Sequence, residues 1–418
     1  MERGRRRYQD RFIPDRRATN MEVSALNVRE DLSGHTTPFH AALGKAVLDE
    51  YCVATVPILE FRKRDKGLSP WVLPLGAPVP AALGAPRRYR AIKTLDAPGL
   101  LDDFYLNTLA WVGVSSFAVA LGGAVYVYDT SRNSICELLS LTGTTVATAL
   151  AYLHCGDLAV GTSLGTVEVW DLTAQRLKAR FHSHGFRVGA VTSSNTILTS
   201  GGMDAKIVHH DTRLDRWRPL ATLGGHFGEI CGLAWSVDGA FLASGASDSL
   251  VCLWKKDFNS RRQFPLHTLR AHRAAVKALA WSSYAAGAVL ATGGGRSDRT
   301  IKRWRVARDA CTLLQSTDVG SQVTGLAWSC PDAHAREEIF AAHGGEVVAY
   351  DVATMTPAAT YVGEASRILN LAAAPSGKTL VTSGVHEIVQ IWEGRPLVPQ
   401  ATAPKKRWPS RAFDASIR

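Results

Sequence analysis

The sequence is expected to fold as an all-β, seven-bladed β-propeller over 87–394, between a mostly irregular N-terminal arm at 1–86 and a short basic C-terminal tail at 395–418. Two repeated patterns carry that expectation. One is a pair of alternating apolar positions followed by an anchor, which is in turn Tyr128, Trp170, His210, Trp254, Trp304, Tyr350 and Trp392. The other is a short element that precedes the anchor within its repeat: Gly232-Leu233-Ala234-Trp235-Ser236, Ala278-Leu279-Ala280-Trp281-Ser282 and Gly325-Leu326-Ala327-Trp328-Ser329.

The anchors recur every ~40–50 residues, the period of four-stranded WD40 blades. Around each anchor the alternation has period two, as in Val167-Glu168-Val169-Trp170-Asp171, which places successive side chains on opposite faces of a strand. Between the two patterns lie further strand-like runs, Leu242-Ala243-Ser244-Gly245, Leu290-Ala291-Thr292-Gly293 and Leu380-Val381-Thr382-Ser383-Gly384. His226, Ser244, Asp248 and Trp254 then have the spacing of a buried hydrogen-bonded set, repeated as His272, Thr292, Asp298 and Trp304. A histidine near a carboxylate and a hydroxyl is also the make-up of a hydrolase triad. Recurrence in register with the strands favours the structural reading, in which these groups satisfy one another inside a blade. A propeller must also close its ring, and residues 90–95 alternate like a strand placed to complete the last blade.

The arm lacks a steady period and ends in Gly/Pro/Ala-rich sequence from Leu75 to Pro86, the composition of a linker. Leu43, Val47, Leu48 and Tyr51 fall at helical spacing and predict a short amphipathic helix near 40–51. The formal net charge of +11 is concentrated at the ends, in seven arginines between residues 3 and 17 and in Lys405, Lys406, Arg407, Arg411 and Arg418. Aromatic residues do not interleave with these runs as a single-strand nucleic-acid surface requires, so weak nonspecific binding is the most expected there. No apolar stretch reaches the length of a membrane span. Seven dispersed cysteines without a CxxC pair fit reduced thiols in an intracellular protein better than a disulfide framework. No metal cluster, phosphate loop or nucleophile elbow stands out: Gly293-Gly294-Gly295 lies in a turn before Asp298 with no helix after it. Neither a cofactor nor an enzymatic activity is expected.

Three further stretches stand outside the repeats: Asp10-Arg11-Phe12-Ile13-Pro14-Asp15-Arg16, the lead-in Leu95-Asp96-Ala97-Pro98 with Asp102-Asp103-Phe104-Tyr105-Leu106-Asn107, and the terminal Ile417-Arg418. In these residues, flanking seven repeats, the sequence resembles the Fizzy and Fizzy-related activators of the anaphase-promoting complex, the substrate-recruiting subunits of that ubiquitin ligase. The resemblance implies that Asp10, Arg11, Phe12, Ile13, Pro14 and Arg16 form a C-box and that Ile417 and Arg418 form an Ile-Arg tail, both docking on the ligase. The chemistry suits such roles: Phe12 and Ile13 would fill pockets, Arg11 and Arg16 would pair with acidic residues, and Pro14 stiffens the segment. Arg418 would present its guanidinium and the chain carboxylate together.

By the same resemblance, the groove between the first and last blades would receive destruction boxes of the Arg-x-x-Leu type. Asp96 and Glu387 would hold the arginine, while Leu95, Tyr128 and Ile135 would line the leucine pocket, Tyr128 standing where relatives carry Trp. A second site on the central top face would take Lys-Glu-Asn degrons, with Asp103 meeting the lysine and Gln322 and Arg367 the amide and carboxylate. There Ser247 and Ser249 replace Asn residues usual in the family and Arg296 replaces a Thr-like position, so altered or weaker recognition is expected. Ile58, Leu59 and Phe61 resemble a stretch of the Fizzy branch that joins a ligase subunit or is captured by a spindle-checkpoint protein as an added strand. The implied partners are therefore ligase subunits, degron-bearing substrates such as cyclins and securin-like proteins, and spindle-checkpoint proteins, in nucleus and cytoplasm. The Fizzy branch is the leading reading; a Fizzy-related activator, or a WD40 scaffold unrelated to ubiquitin ligation, are the alternatives.

Overall fold

The computed structural model describes residues 87–213, 219–256, 262–283, 288–329, 337–363, 367–377 and 379–393. Seven sheets of four or five strands make up these residues. Blade one consists of Leu109–Val112, Ser116–Leu121, Ala124–Asp129 and Ser134–Ser140, joined as an antiparallel meander. The later blades repeat this plan, their first strands being Ala147–Tyr152, Val188–Ser194, Ile230–Trp235, Val276–Trp281, Val323–Trp328 and Ile368–Ala373. Each first strand touches that of the next blade, and the seventh returns to the first, which closes the ring. No helix occurs among the described residues.

Closure follows the expectation with a shift in register. Lys93–Asp96 pairs antiparallel with Ile388–Glu393 and supplies the outer strand of blade seven. The residues just before it go elsewhere: Arg87–Arg90 adds a fifth, parallel strand to blade six, with Tyr89 opposite Tyr361 and their rings stacked 4.9 Å apart. Blade three likewise receives a parallel fifth strand, Arg262–Gln263.

The blades converge on the axis, so their inner strands must be narrow. A Cβ on Gly232 would sit 2.2 Å from the Lys277 carbonyl of the neighbouring blade, which no side chain tolerates. In blades two to seven the first strand is bulged against the second, as between Ile230 and Gly232, whereas blade one pairs without a shift. Such bulges raise local twist. Between blades the packing is apolar, with Trp254 and Trp392 almost fully buried.

The predicted hydrogen-bonded sets form. His226 Nδ1 lies 3.1 Å from Asp248, Nε2 is 2.8 Å from Ser244 Oγ, and the Trp254 indole donates to that Oγ at 2.8 Å. A carboxylate only accepts, so Nδ1 carries the proton and the Ser244 hydroxyl donates to Nε2. In blade five His272 bonds Asp298 and Thr292, and Trp304 donates to Thr292 at 3.0 Å. Blade three holds a third set that the pattern did not flag: His184 bonds Asp204 and Ser200, each at 2.9 Å. Its anchor, His210, bonds Ser183 instead at 2.8 Å. One expectation is corrected: Gly293 and Gly294 end the strand Ala288–Gly294, and only Gly295 follows it into the turn, where its carbonyl accepts from Asp298 N. A Cβ on Gly294 would collide with the Asp298 carboxylate, so close packing explains that glycine.

Candidate functional site

In a four-stranded meander, the loop before the first strand and the loop between the second and third emerge at the same edge. Asp103, Gln322 and Arg367 lie on loops of the first kind, and Ser249, Arg296 and Glu387 on loops of the second. The topology therefore brings all six to one face of the ring, here termed the top. Asp96 ends its strand at that face. Ser249 and Glu387 adopt left-handed backbone, with φ of 67° and 58°, at the tips of their hairpins.

Asp96 and Glu387 meet at the ring seam. Asp96 pairs with Ile388 in the ladder, and the next amide, Ala97 N, donates to the Glu387 carbonyl at 2.7 Å. The Glu387 carboxylate accepts from Gly99 N at 2.9 Å, and both acidic side chains belong to exposed residues. Below them Leu95, Phe117, Tyr128 and Val389 share one apolar cluster that bridges blades seven and one. Ile135 stands directly opposite Tyr128 on the outer strand and is 64% exposed. Strands rise about 3.3 Å per residue, so from Asp96 down to Lys93 the seam runs roughly 10 Å, the span of an extended Arg-x-x-Leu segment.

The lower end of the seam differs from the expected apolar pocket. Lys93 Nζ donates to the Tyr128 hydroxyl at 2.7 Å and lies 5.2 Å from its ring centre. Both Lys93 and Tyr128 also bond Asn133. Tyrosine thus replaces an apolar wall with a polar cluster, because its hydroxyl demands partners where it is partly buried.

On the central top face the acidic residues are already engaged. The Asp103 carboxylate accepts from Arg187 at 2.6 Å and from Tyr105 N at 2.8 Å. Arg187 also holds Glu229 through two bonds of 2.7 and 2.8 Å, and this pairing raises the arginine's already high pKa. Arg367 reaches Asp102 at 2.5 Å. Gln322 is partly buried and Arg296 exposed.

Beneath this layer the lead-in crosses the mouth of the channel. Asn107 donates from Nδ2 to Gly189 and Cys231 carbonyls at 2.8 and 2.9 Å, and its backbone bridges to Ala149. Lys277, buried in blade five, donates to the carbonyls of Leu106 and Leu369 and to Asn370 Oδ1 at 2.7–2.8 Å. Burial pushes its pKa down to about 7. Asn107, Lys277 and Asn370 line a cavity of about 150 Å³ among the first strands of the blades. Arg187, Glu229 and Lys277 escaped the sequence reading, and Asn107 entered it only as part of the lead-in, without a role. The Arg-Val-Gly and Glu-Ile-Cys-Gly stretches that open two first strands carried a signal, a charge in corresponding positions of successive repeats.

The fold and this surface have known relatives. Residues 95–392 match the model of the CDC20/Fizzy WD40 domain. The chain belongs to the CDC20/Fizzy family. It is 35% identical over 419 residues to the Arabidopsis thaliana protein named Cell division cycle 20.1, cofactor of APC complex, covering 95% of this chain and 90% of that one. Similarity to Protein FIZZY-RELATED 2 of the same plant is 33% over 410 residues, covering 92% and 82% of the two chains. A chain in the crystal structure of a mitotic checkpoint complex is 33% identical and superposes with a TM-score of 0.67, covering 79% of this chain and 99% of that chain. Family membership supplies the context for the motifs at the two ends: Asp10, Arg11, Phe12, Ile13, Pro14, Arg16, Ile58, Leu59, Phe61, Ile417 and Arg418, like the helix expected near 40–51, lie outside the described residues.

Proposed function

We propose that this CDC20/Fizzy-family chain is an activator and substrate-recruiting subunit of the anaphase-promoting complex. It binds degrons on its propeller, docks on the ligase through the C-box and the Ile-Arg tail, and leaves ubiquitin transfer to other subunits. Relatives named cofactor or subunit of that complex support the ligase assignment. The observation that carries the substrate role is the seam: two exposed carboxylates, Asp96 and Glu387, stand above a shared apolar cluster at the spacing of an extended Arg-x-x-Leu segment. A guanidinium held between two carboxylates gains charge-assisted bonds. Nucleus and cytoplasm are the expected compartments, and the Ile58, Leu59 and Phe61 stretch favours the Fizzy branch over the Fizzy-related one.

Two measurements test this. An Arg-x-x-Leu peptide titrated against Asp96→Ala and Glu387→Ala should bind roughly tenfold or more weakly than to the unaltered protein, a loss of about 1.4 kcal/mol or more. Unchanged affinity removes both residues from the site. Independently, substituting Arg11 and deleting Ile417-Arg418 should abolish co-purification with the ligase while the propeller stays folded; retained binding by both variants rejects the docking assignment.

A further inference from the structure

The top of blade five carries an arginine rim that, among the described residues, makes no ion pair. Arg270 and Arg273 lie on the loop between the strands His267–Leu269 and Val276–Trp281, and Arg296 on the loop after Ala288–Gly294. All three are exposed. The two loops touch: a Cβ on Gly295 would lie 2.9 Å from the Ala275 carbonyl and 3.2 Å from Ala274 Cβ. Among the described residues, none of the three arginines is within salt-bridge distance of a carboxylate.

The neighbouring acids are spent elsewhere. Asp298 is bonded by His272 and Thr300, Asp248 by His226 and two backbone amides, and Glu229 by Arg187. Arg299 is excluded from the rim because it pairs with Asp318 at 3.3 Å. A patch of like charges spread over two adjoining loops attracts an anionic partner. The cations are distributed along the rim, which suits carboxylates spaced along an extended chain. The loop that carries Gln322 comes next around the ring, so a peptide lying on the central face would continue onto the rim.

We propose that Arg270, Arg273 and Arg296 bind acidic residues flanking the core of a Lys-Glu-Asn degron, making substrates with such flanks the preferred ones. The proposal rests on the reading of the top face as a peptide site. It also gives a use to Arg296, which stands where a neutral residue was expected.

The test is fluorescence anisotropy with the full chain and two synthetic peptides sharing a Lys-Glu-Asn core, one flanked by glutamates and one by glutamines at the same positions. Exposed ion pairs are individually weak, so three together should favour the glutamate peptide roughly threefold or more, with the advantage shrinking as salt rises. The combined Arg270→Ser, Arg273→Ser variant, which leaves Arg296 of the Lys-Glu-Asn site in place, should lose most of that advantage and bind the glutamine peptide as before. Equal affinity of the two peptides for the unaltered protein overturns the proposal and leaves the peptide site standing. If neither binds while an Arg-x-x-Leu peptide does, the top-face reading falls and the proposal with it. Preference for phosphoserine flanks without any for glutamate flanks replaces the carboxylate assignment with a phosphate one. Should the combined variant fail to fold, Arg273→Gln alone and the salt dependence of the unaltered protein decide the matter.

Discussion

Single hydroxyls inside the blades do unequal work. Ser244 donates to His226 and accepts from Trp254, whereas Thr382, among the described residues, accepts from the Trp392 indole at 3.0 Å. Leaving a buried polar group without a partner costs about 1–3 kcal/mol. Ser244→Ala strands two such groups and Thr382→Val one, so the first variant should lose about twice the stability of the second in denaturant melts. Equal losses would mean that the His-Ser-Trp set is not coupled as drawn. The aspartate that follows several anchors has a separate task. Asp129, Asp171 and Asp351 accept from backbone amides two and three residues on, which closes the tight hairpin to the outer strand. The Asp129 carboxyl is held below its usual range chiefly by the Ser131 hydroxyl, which also donates to it, and that of Asp171 chiefly by the Ala174 amide.

Among the elements, blade three stands apart because it buries two adjacent histidines on Lys206–Asp211. His209 bonds Thr199 at 2.8 Å, and His210 stacks on Phe181 with ring centres 4.6 Å apart. Burial pushes their pKa values down to about 3 and about 4. In the unfolded chain both titrate near 6.5, so between about pH 6.5 and 4 the unfolded state binds more protons than the native one. Stability contributed by these neutral imidazoles is complete above about 6.5 and declines as pH falls toward their folded values, by up to about 1.4 kcal/mol per pH unit for each. Denaturant melts from pH 7.5 to 4.5 should follow that slope, and His209→Gln should flatten it; a slope indifferent to the substitution would move the effect elsewhere. The His184, Ser200 and Asp204 set in this blade was open to sequence reading, since its residue types and order match blade four. Its anchor is histidine instead of tryptophan, which hid the match.

For the molecule as a whole, ring closure is the decisive event. Lys93–Asp96 covers the edge of blade seven, while Arg87–Arg90 only adds to a blade already four strands wide. Starting the chain at residue 91 should therefore leave a folded monomer. Starting it at residue 98 bares Ile388–Glu393, a strand of apolar alternation, as an open edge of the kind that drives association. Size-exclusion chromatography and melting of the two truncations should separate them, the longer truncation giving aggregates and a broad transition; like behaviour would show that closure does not depend on the outer strand. The lead-in adds a second tie, since Asn107 and Lys277 connect blades two, three, four, five and seven across the channel.

Local regularities determined the blades from the sequence alone. Period-two alternation, the spaced anchors and the turn-forming glycines and aspartates act within a few residues, so they can be read without knowing what lies opposite. The closing strand was legible for the same reason, because the lead-in alternates, whereas Asp96 and Glu387 were assigned to the seam only by the resemblance to the Fizzy family. Tertiary structure alone decided the rest. Arg187 with Asp103, Lys277 with Leu106 and Lys93 with Asn133 are separated by 84, 171 and 40 positions, and no periodicity links such partners. Which blade takes residues 87–90 is of the same kind, a choice between two edges that the strand's own sequence fits equally. Contacts of that sort arise only when the ring closes and brings distant polar groups within hydrogen-bonding reach.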